Sequence, residues 1–407
     1  MAARKFISDT VLNIISSFFP IFVLQIIVYP IISREISENS YGLMLSMYSL
    51  ISLVSGTLGG ELCNSRLLKD KVYEDKNLQG DFNLILLYYL ILLPIIAIVG
   101  MYILSKQILV VDILLTCYIF FSALIANYLD VGFRLRLDYK AVLISKLILS
   151  LGYAIGIILT FITLKWQFVF IVGDTLTIIF LILKTPIIKE GYKKTKLFKS
   201  TLKDVMYLNG AGFLQRITTY ADKIVLYPLA GGGAVSIYYT ATLFGKIISM
   251  GINPLTTVIL SYLAKSENTK RKLMNQFLLI SAGVCIIGYF ICVGISSPVL
   301  EILFPQWKEE AMKLVPMATI GVCLSAYASI LTPFILKFCK MHWQVIVNGI
   351  SVVIFLICGY ILLQNFGLMG FCIGMNISYV VKLFLLLYLY FKSLNKLNKA
   401  EELMIKK

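Results

Sequence analysis

Six basic side chains lie in or at the edges of segments that are otherwise apolar enough to cross a membrane. Four acidic side chains lie in similar positions, and Arg34 at the end of the first segment adds a seventh cation. Burying a cation in hydrocarbon costs about 2.5–3.5 kcal/mol on insertion scales, so several of them require an aqueous cavity or an anionic ligand. The excess of positive charge indicates that a membrane protein moves something negatively charged. The cations are Lys146, Arg216, Lys223, Lys246, Lys313 and Lys382, and the acids are Asp9, Glu61, Asp174 and Asp222.

Arg216 and Lys246 lie on polar faces of two predicted helices, 205–229 and 235–263. Each is about eleven residues into its helix, which is roughly 16 Å along the axis and too deep for its charge to reach the membrane surface easily. We therefore predict that both bind an anion, together with Lys223 and Lys382. Residues at the same helical spacing are predicted to line the polar cavity: Asn209 and Tyr220 beside Arg216, Asn253 beside Lys246, and Asn13 on the first helix.

Several of these residues also have a structural interpretation. Lys146 and Lys313 lie near helix ends, where a lysine can extend its charge to the interface, and Lys382 fits either reading. Asp174 and Asp222 are either ion-pair partners of the cations or groups that couple transport to an ion gradient. Small residues such as Gly56 and Gly59 more often allow close helix packing than line a pathway.

The elements that must position these residues are transmembrane helices. Hydrophobic residues make up 59% of the 407 and charged residues 14%, unlike a soluble domain. Runs of about 20 apolar residues recur along the whole chain, each long enough to cross roughly 30 Å of hydrocarbon. Twelve helices are predicted, at about 6–32, 41–62, 82–104, 108–130, 139–163, 166–186, 205–229, 235–263, 276–297, 311–336, 342–363 and 367–391.

The distribution of basic residues predicts the orientation of these helices. With the N-terminus in the cytoplasm, the cytoplasmic segments carry 27 Lys and Arg residues, whereas the outer ones carry four: Arg34, Lys106, Lys165 and Lys308. This asymmetry follows the positive-inside rule and predicts that both termini are cytoplasmic. It also accounts for most of the net charge of +16, which therefore does not indicate nucleic-acid binding.

The basic loop 187–204 divides the twelve predicted helices into two sets of six. The sequence VYPI at 28–31, before Tyr41, is echoed by LYPL at 226–229, before Tyr238. An even number of helices in each half gives both halves the same orientation. We predict an all-α polytopic membrane protein with two parallel six-helix bundles around a central cavity: 1–186, the cytoplasmic linker 187–204, and 205–407 with a short cytoplasmic tail.

Two segments resemble a known family. The run ADKIVLYPL at 221–229, followed by VSIYYTA at 235–241, is similar to a segment of the polysaccharide exporters in the multidrug/oligosaccharidyl-lipid/polysaccharide (MOP) superfamily. Residues 34–42, REISENSYG, resemble the entry of that family to its second helix. Ser236 departs from the pattern, which usually has glycine there. The resemblance covers the whole chain and implies a Wzx-type flippase with a MOP/MATE-like fold.

The implied function is transport and not enzymatic catalysis. Such proteins move an undecaprenyl-diphosphate-linked oligosaccharide repeat unit across the bacterial cytoplasmic (inner) membrane by alternating access, for O-antigen or capsule synthesis. The implied partners are this lipid-linked oligosaccharide, membrane lipids, and a polymerase and chain-length regulator of the same pathway. The alternative is an ion-coupled multidrug exporter of the same superfamily. We expect no cofactor, metal or catalytic residue, since no nucleotide-binding motif is present and the single histidine, His342, is predicted at the interface.

Overall fold

A computed structural model describes residues 2–76, 78–105, 109–265, 271–339 and 342–405. The described residues form helices and connecting turns, with no strand among them. The helices are α1 Ala2–Phe22, α2 Tyr29–Glu35, α3 Glu38–Asp75, α4 Asp81–Leu104, α5 Val110–Leu129, α6 Val131–Leu135, α7 Tyr139–Thr163, α8 Gln167–Lys184, α9 Phe198–Lys265, α10 Arg271–Leu303, α11 Lys308–Phe338 and α12 His342–Ile405.

The first predicted helix is interrupted near its middle. α1 contains Pro20, which cannot donate a backbone hydrogen bond, and the chain then passes through a π-helical segment, Val23–Val28, before α2 begins. Ser16 and Pro20 are buried on one side of α1, whereas Ile15 and Phe18 are exposed. The exposed side is apolar, as expected of a helix that faces lipid.

Ten helices among the described residues are long and apolar enough to cross a membrane, which identifies a multi-pass membrane protein. Two of these spans are much longer than one crossing requires, with 49 residues in Phe198–Lys246 and 52 in His342–Ser393. A straight helix of 49 residues would be about 74 Å long, against roughly 30 Å of hydrocarbon. Both are broken at a glycine with non-helical backbone angles, Gly231 and Gly367. The count of twelve crossings stays a prediction.

α12 folds back on itself at Gly367. A methyl group on Gly374 would lie 2.7 Å from the Cα atom of Gly359, and Ser351 donates a hydrogen bond of 3.3 Å to the carbonyl of Ser378. Such contacts cannot form within one straight helix. Gly367 has a φ of 59°, in the left-handed region that glycine adopts without a steric penalty. α12 is therefore two antiparallel helices joined by a tight turn.

The chain separates into two compact units, Met1–Ser236 and Ile237–Lys407. Residues 205–236, which the sequence analysis placed in the C-terminal bundle, fall within the first unit. The proposed two-bundle boundaries stay a prediction. Within the first unit, α7 and α8 approach closely because Gly152 and Gly173 have no side chains. A methyl group on Gly152 would lie only 2.5 Å from the Cα atom of Gly173. In the second unit, Phe334, Leu386 and Tyr390 belong to a buried cluster between α11 and α12.

Candidate functional site

The first unit contains a polar cavity of about 230 Å³. Residues of α1, α3, α5, α7, α8 and α9 form its wall. Its charged lining residues are Lys146, Asp174 and Arg216, and three tyrosines also line it. Its other polar lining residues are Ser16, Ser17, Ser52, Asn127 and Thr177, and the tyrosines are Tyr48, Tyr153 and Tyr220. The cavity therefore combines two cations and one acid with hydroxyl and aromatic groups.

Arg216 reaches the cavity across the surface of α3. A methyl group on Gly56 would lie 3.1 Å from Nη1 of Arg216, and one on Gly60 would lie 3.4 Å from Nη2. Residues four apart lie on the same helix face, so these glycines form a shallow seat for the guanidinium. No carboxylate oxygen of the described residues lies within 4.0 Å of this half-buried side chain. Arg216 can therefore present its charge to a ligand.

The approach of α3 and α9 is reciprocal. On α9, a methyl group at Gly212 would lie 2.7 Å from Oε1 of Glu61 on α3. Glu61 accepts a hydrogen bond of 3.1 Å from Asn64, one turn further along α3. Glycines on both helices thus make room for a charged side chain of the other. The sequence left open whether Gly56 allows close helix packing or lines a pathway. Gly56 does both, because it packs against Arg216 of α9 and lines the cavity.

Asp174 is the acidic residue of the cavity. It lies on α8 and is buried, with a relative exposure of 6%, and its Oδ2 accepts a hydrogen bond of 2.8 Å from Ser122 on α5. No lysine or arginine nitrogen lies within 4.0 Å of it among the described residues. The geometry therefore provides Asp174 with a hydroxyl partner, and it does not show the ion pair that the sequence offered as one alternative.

Lys146 is a cavity residue that the sequence analysis did not single out for binding. Leu149 and Tyr153, three and seven residues further along α7, line the cavity with it and lie on the same helical face. The ring of Tyr48 stacks on that of Phe170 at 4.5 Å, and the ring of Tyr153 meets Phe170 edge-on at 5.8 Å. The helical spacing of Lys146, Leu149 and Tyr153 is visible in the sequence and places them on one face of α7. The sequence does not show that this face is the one directed at the cavity.

The other predicted residues of the first unit have different surroundings. Nζ of Lys223 forms an ion pair of 2.7 Å with Oδ1 of Asp222, and both side chains are buried. Asn209 is also buried and donates a hydrogen bond of 2.5 Å to the hydroxyl of Tyr89 on α4. Neither Lys223 nor Asn209 is among the residues that line the cavity, whereas Tyr220 is.

Asn13 lies one turn before the part of α1 that lines the cavity. Its carbonyl accepts hydrogen bonds from the hydroxyls of Ser16, at 2.8 Å, and Ser17, at 2.9 Å, and these two serines are lining residues. The polar face of α1 predicted from the sequence thus reaches the cavity through its serines.

Comparisons with known proteins give structural neighbours only. No family model matches the sequence, and no curated protein matches it. The lipid II flippase MurJ in an inward closed conformation has a TM-score of 0.71 and 15% identity, with 96% of this chain and 90% of that chain covered. The Vibrio cholerae MATE transporter VcmN in its bent form has a TM-score of 0.64 and 12% identity, with 97% of each chain covered. An outward-facing multidrug resistance MATE family transporter of the MOP superfamily has a TM-score of 0.65 and 14% identity, with 96% and 95% covered.

The fold of this chain resembles that of the MurJ flippase and of the MATE transporters. At 12–15% identity the comparison establishes the fold and no specific substrate. The named neighbours are a flippase and transporters, and the transport role of this chain stays a prediction.

The second unit carries the remaining predicted cations. Nζ of Lys246 lies 3.8 Å from the centroid of the ring of Tyr239. Tyr239 is seven residues, about two turns, before Lys246 on α9. This is a cation–π contact, which stabilises a lysine charge in an apolar environment. Lys382 is half-buried on α12, and Lys313 is exposed on α11. Asn253 lies outside the residues whose side chains the structure describes, as does Asp9.

Proposed function

We propose that this protein is a flippase that moves an undecaprenyl-diphosphate-linked oligosaccharide repeat unit across the bacterial cytoplasmic membrane by alternating access, for O-antigen or capsule synthesis. The observation that carries the proposal is the pair of cations, Arg216 and Lys146, in one cavity whose described lining residues include one acid, Asp174. A diphosphate supplies the negative charge that such a cavity needs to offset the cost of burying its cations.

The size of the cavity indicates which part of the substrate it takes. Drug-sized ligands occupy pockets of about 300–1,000 Å³, whereas this cavity measures about 230 Å³. We assign it to the diphosphate and the first sugar at most. The guanidinium of Arg216 can bind two phosphate oxygens at once, and the ammonium of Lys146 acts as a point charge. Tyr220 and Ser52 supply hydroxyl groups to the same space.

Lys246 and Lys382, which the sequence predicts to bind an anion, are also proposed to contact the substrate during transport. A polymerase and a chain-length regulator of the same pathway are the proposed protein partners, since a flipped repeat unit has to be polymerised on the outer side. The MurJ neighbour, described as a lipid II flippase, supports a lipid-linked substrate of this class.

Transport assays on the purified protein test the proposal. Proteoliposomes would carry a fluorescent polyprenyl-diphosphate oligosaccharide, and the fraction accessible to an external quencher would report flipping. We expect Arg216→Gln and Lys246→Gln to reduce the rate at least tenfold at normal protein abundance. Arg216→Lys should retain part of the activity, because the positive charge remains although the planar guanidinium is lost.

Arg136→Gln is the matched control, since Arg136 is exposed and donates hydrogen bonds to the backbone carbonyls of Gly132 and Lys184. Full activity of both glutamine variants would refute the assignment.

An ion-coupled multidrug exporter is the second candidate. Asp174 favours it, because a buried acid in the cavity suits a cationic drug or a coupling ion, and MATE transporters share the fold. A clean gene deletion separates the two. Loss of surface polysaccharide, with lipid-linked units retained on the cytoplasmic side, supports the flippase. Unchanged polysaccharide with increased drug sensitivity supports the exporter.

A further inference from the structure

The loop between α8 and α9 is held in a fixed path by the first unit. Nδ2 of Asn83 donates hydrogen bonds to the carbonyls of Ile187, at 2.8 Å, and Gly191, at 3.1 Å. Asp81, which is fully buried, accepts hydrogen bonds of 2.7 Å from the backbone N–H of Thr195 and from the hydroxyl of Tyr73. These hydrogen bonds anchor the loop through its backbone.

The acidic residues of this region are used within the anchor. Glu190 forms two hydrogen bonds with the guanidinium of Arg66, at 2.6 and 2.7 Å. Asp204, at the start of α9, pairs with Lys69 at 2.7 Å. Both partners belong to α3. These contacts leave no acidic side chain of residues 184–204 available to neutralise the lysines of the same segment.

Seven lysines of this segment are exposed, and we call them the lysine surface. None of them has a carboxylate within 4.0 Å among the described residues. Nζ of Lys194 also lies 5.2 Å from the centroid of the Phe198 ring, and Tyr192, two residues before Lys194, is 53% exposed. The lysine surface consists of Lys184, Lys189, Lys193, Lys194, Lys196, Lys199 and Lys203.

We propose that the lysine surface binds the headgroups of anionic phospholipids. The segment joins two membrane-spanning helices, so its lysines stay close to a bilayer surface, and clusters of four to eight basic residues beside a span attract acidic lipids. Membrane orientation requires only that the charges be present in the loop. It does not require the backbone to be anchored or the acids to be paired elsewhere. An anchored backbone lowers the entropy lost when the lysines bind.

Lipid binding by the full-length protein in detergent tests this proposal independently of any transport assay. The test variant is Lys189→Gln/Lys193→Gln/Lys196→Gln, and the control is Lys71→Gln/Lys140→Gln/Lys392→Gln, which removes three exposed lysines elsewhere on the predicted cytoplasmic side. Added phosphatidylglycerol should raise the melting temperature more than phosphatidylcholine does. The test variant should lose at least half of that increment and of the phosphatidylglycerol adducts in native mass spectra, while the control keeps them.

Two further measurements separate charge from damage to the loop. Arginine at the same three positions keeps the charge, so Lys189→Arg/Lys193→Arg/Lys196→Arg should retain the increase in melting temperature that phosphatidylglycerol causes. Salt at 0.5 M should abolish this increase in every protein. An unchanged increment in the glutamine variant, an equal loss in the control, or loss in the arginine variant would overturn the proposal. So would an increment given by farnesyl diphosphate and not by phosphatidylglycerol, because the surface would then bind the transported class of lipid.

Discussion

The guanidinium of Arg216 lies against Gly56, so closely that a methyl group on the glycine would be 3.1 Å from Nη1. An arginine and a glycine on neighbouring helices thus form one feature of the cavity wall. Ordinary contacts of a Cβ atom are 3.4–4 Å, so even alanine at this position requires the arginine to move slightly. The position of the charge depends on the absence of a side chain opposite it.

A larger side chain at Gly56 should therefore displace Arg216. We expect Gly56→Leu to reduce transport of a lipid-diphosphate substrate at least tenfold and Gly56→Ala to have a smaller effect, measured in the proteoliposome assay. Gly283→Leu on α10 is the matched control, because no described atom outside the adjacent backbone of its own helix lies within 4 Å of the position of its Cβ. Equal activity of Gly56→Leu and Gly283→Leu, at equal abundance, would show that the seat has no role.

The buried pair of Asp222 and Lys223 should control stability instead of transport specificity. Asp222→Asn leaves the ammonium of Lys223 buried without its anion, and breaking a buried pair in this way costs about 3–5 kcal/mol. We expect a lower melting temperature and lower abundance in the membrane. Asp222→Asn/Lys223→Met should recover most of the loss, because no unpaired charge remains. Asp112→Asn is the control, since its partner Lys165 is 32% exposed. No recovery in the double variant would contradict this account.

The anchor of the α8–α9 loop should depend on Asp81. Asp81→Ala leaves the backbone N–H and the hydroxyl of Thr195 without their acceptor, at a cost of about 1–3 kcal/mol for each unpaired group. The Tyr73 hydroxyl keeps its hydrogen bond of 2.7 Å with Thr201. Trypsin should then cleave at the lysines of residues 189–203 at least tenfold faster than in the unaltered protein, as measured by mass spectrometry of the products. Glu74→Ala changes an exposed acid at the end of α3, seven residues before Asp81, and should leave the rate unchanged. Equal rates for the two variants would show that the loop is held elsewhere.

Thiol labelling tests the predicted orientation. Single cysteines introduced at exposed positions of 187–204 should react with a membrane-impermeant reagent only after the cells are opened, whereas cysteines in 298–310 should react in intact cells. The basis is the excess of basic residues on the predicted cytoplasmic side. Labelling of 187–204 from outside would reverse the topology, and it would place the lysine surface on the opposite side of the membrane.

The apolar spans of the described residues and the helical face that carries Arg216 could be predicted from the sequence, because helix length and helical spacing are local properties. The seventh predicted helix does carry Arg216 and Tyr220 on the face that lines the cavity. Asn209 shares that spacing, yet it bonds to Tyr89, because α4 packs there and a spacing rule cannot include a neighbouring helix.

Lys146 shows the same limit from the other side. Its position near a helix end favours interfacial exposure, and only the packing of α7 against α1 and α8 turns it toward the cavity. The glycines of α3 are similar, since their sequence spacing indicates close packing but cannot show that an arginine is what they accommodate. The type of fold was predicted from the resemblance of two sequence segments to a known family. The substrate remains a proposal, because the named structural neighbours share at most 15% identity with this chain.

The anchored loop has a consequence for how this protein can vary. The hydrogen bonds of Asn83 and Asp81 fix the spacing between Ile187, Gly191 and Thr195. Surface loops usually tolerate insertions and deletions, but adding one residue here would put two of these three groups out of reach of their partners. Related chains should therefore keep the number of residues between these anchor points constant, while the identities of the exposed lysines drift among basic residues.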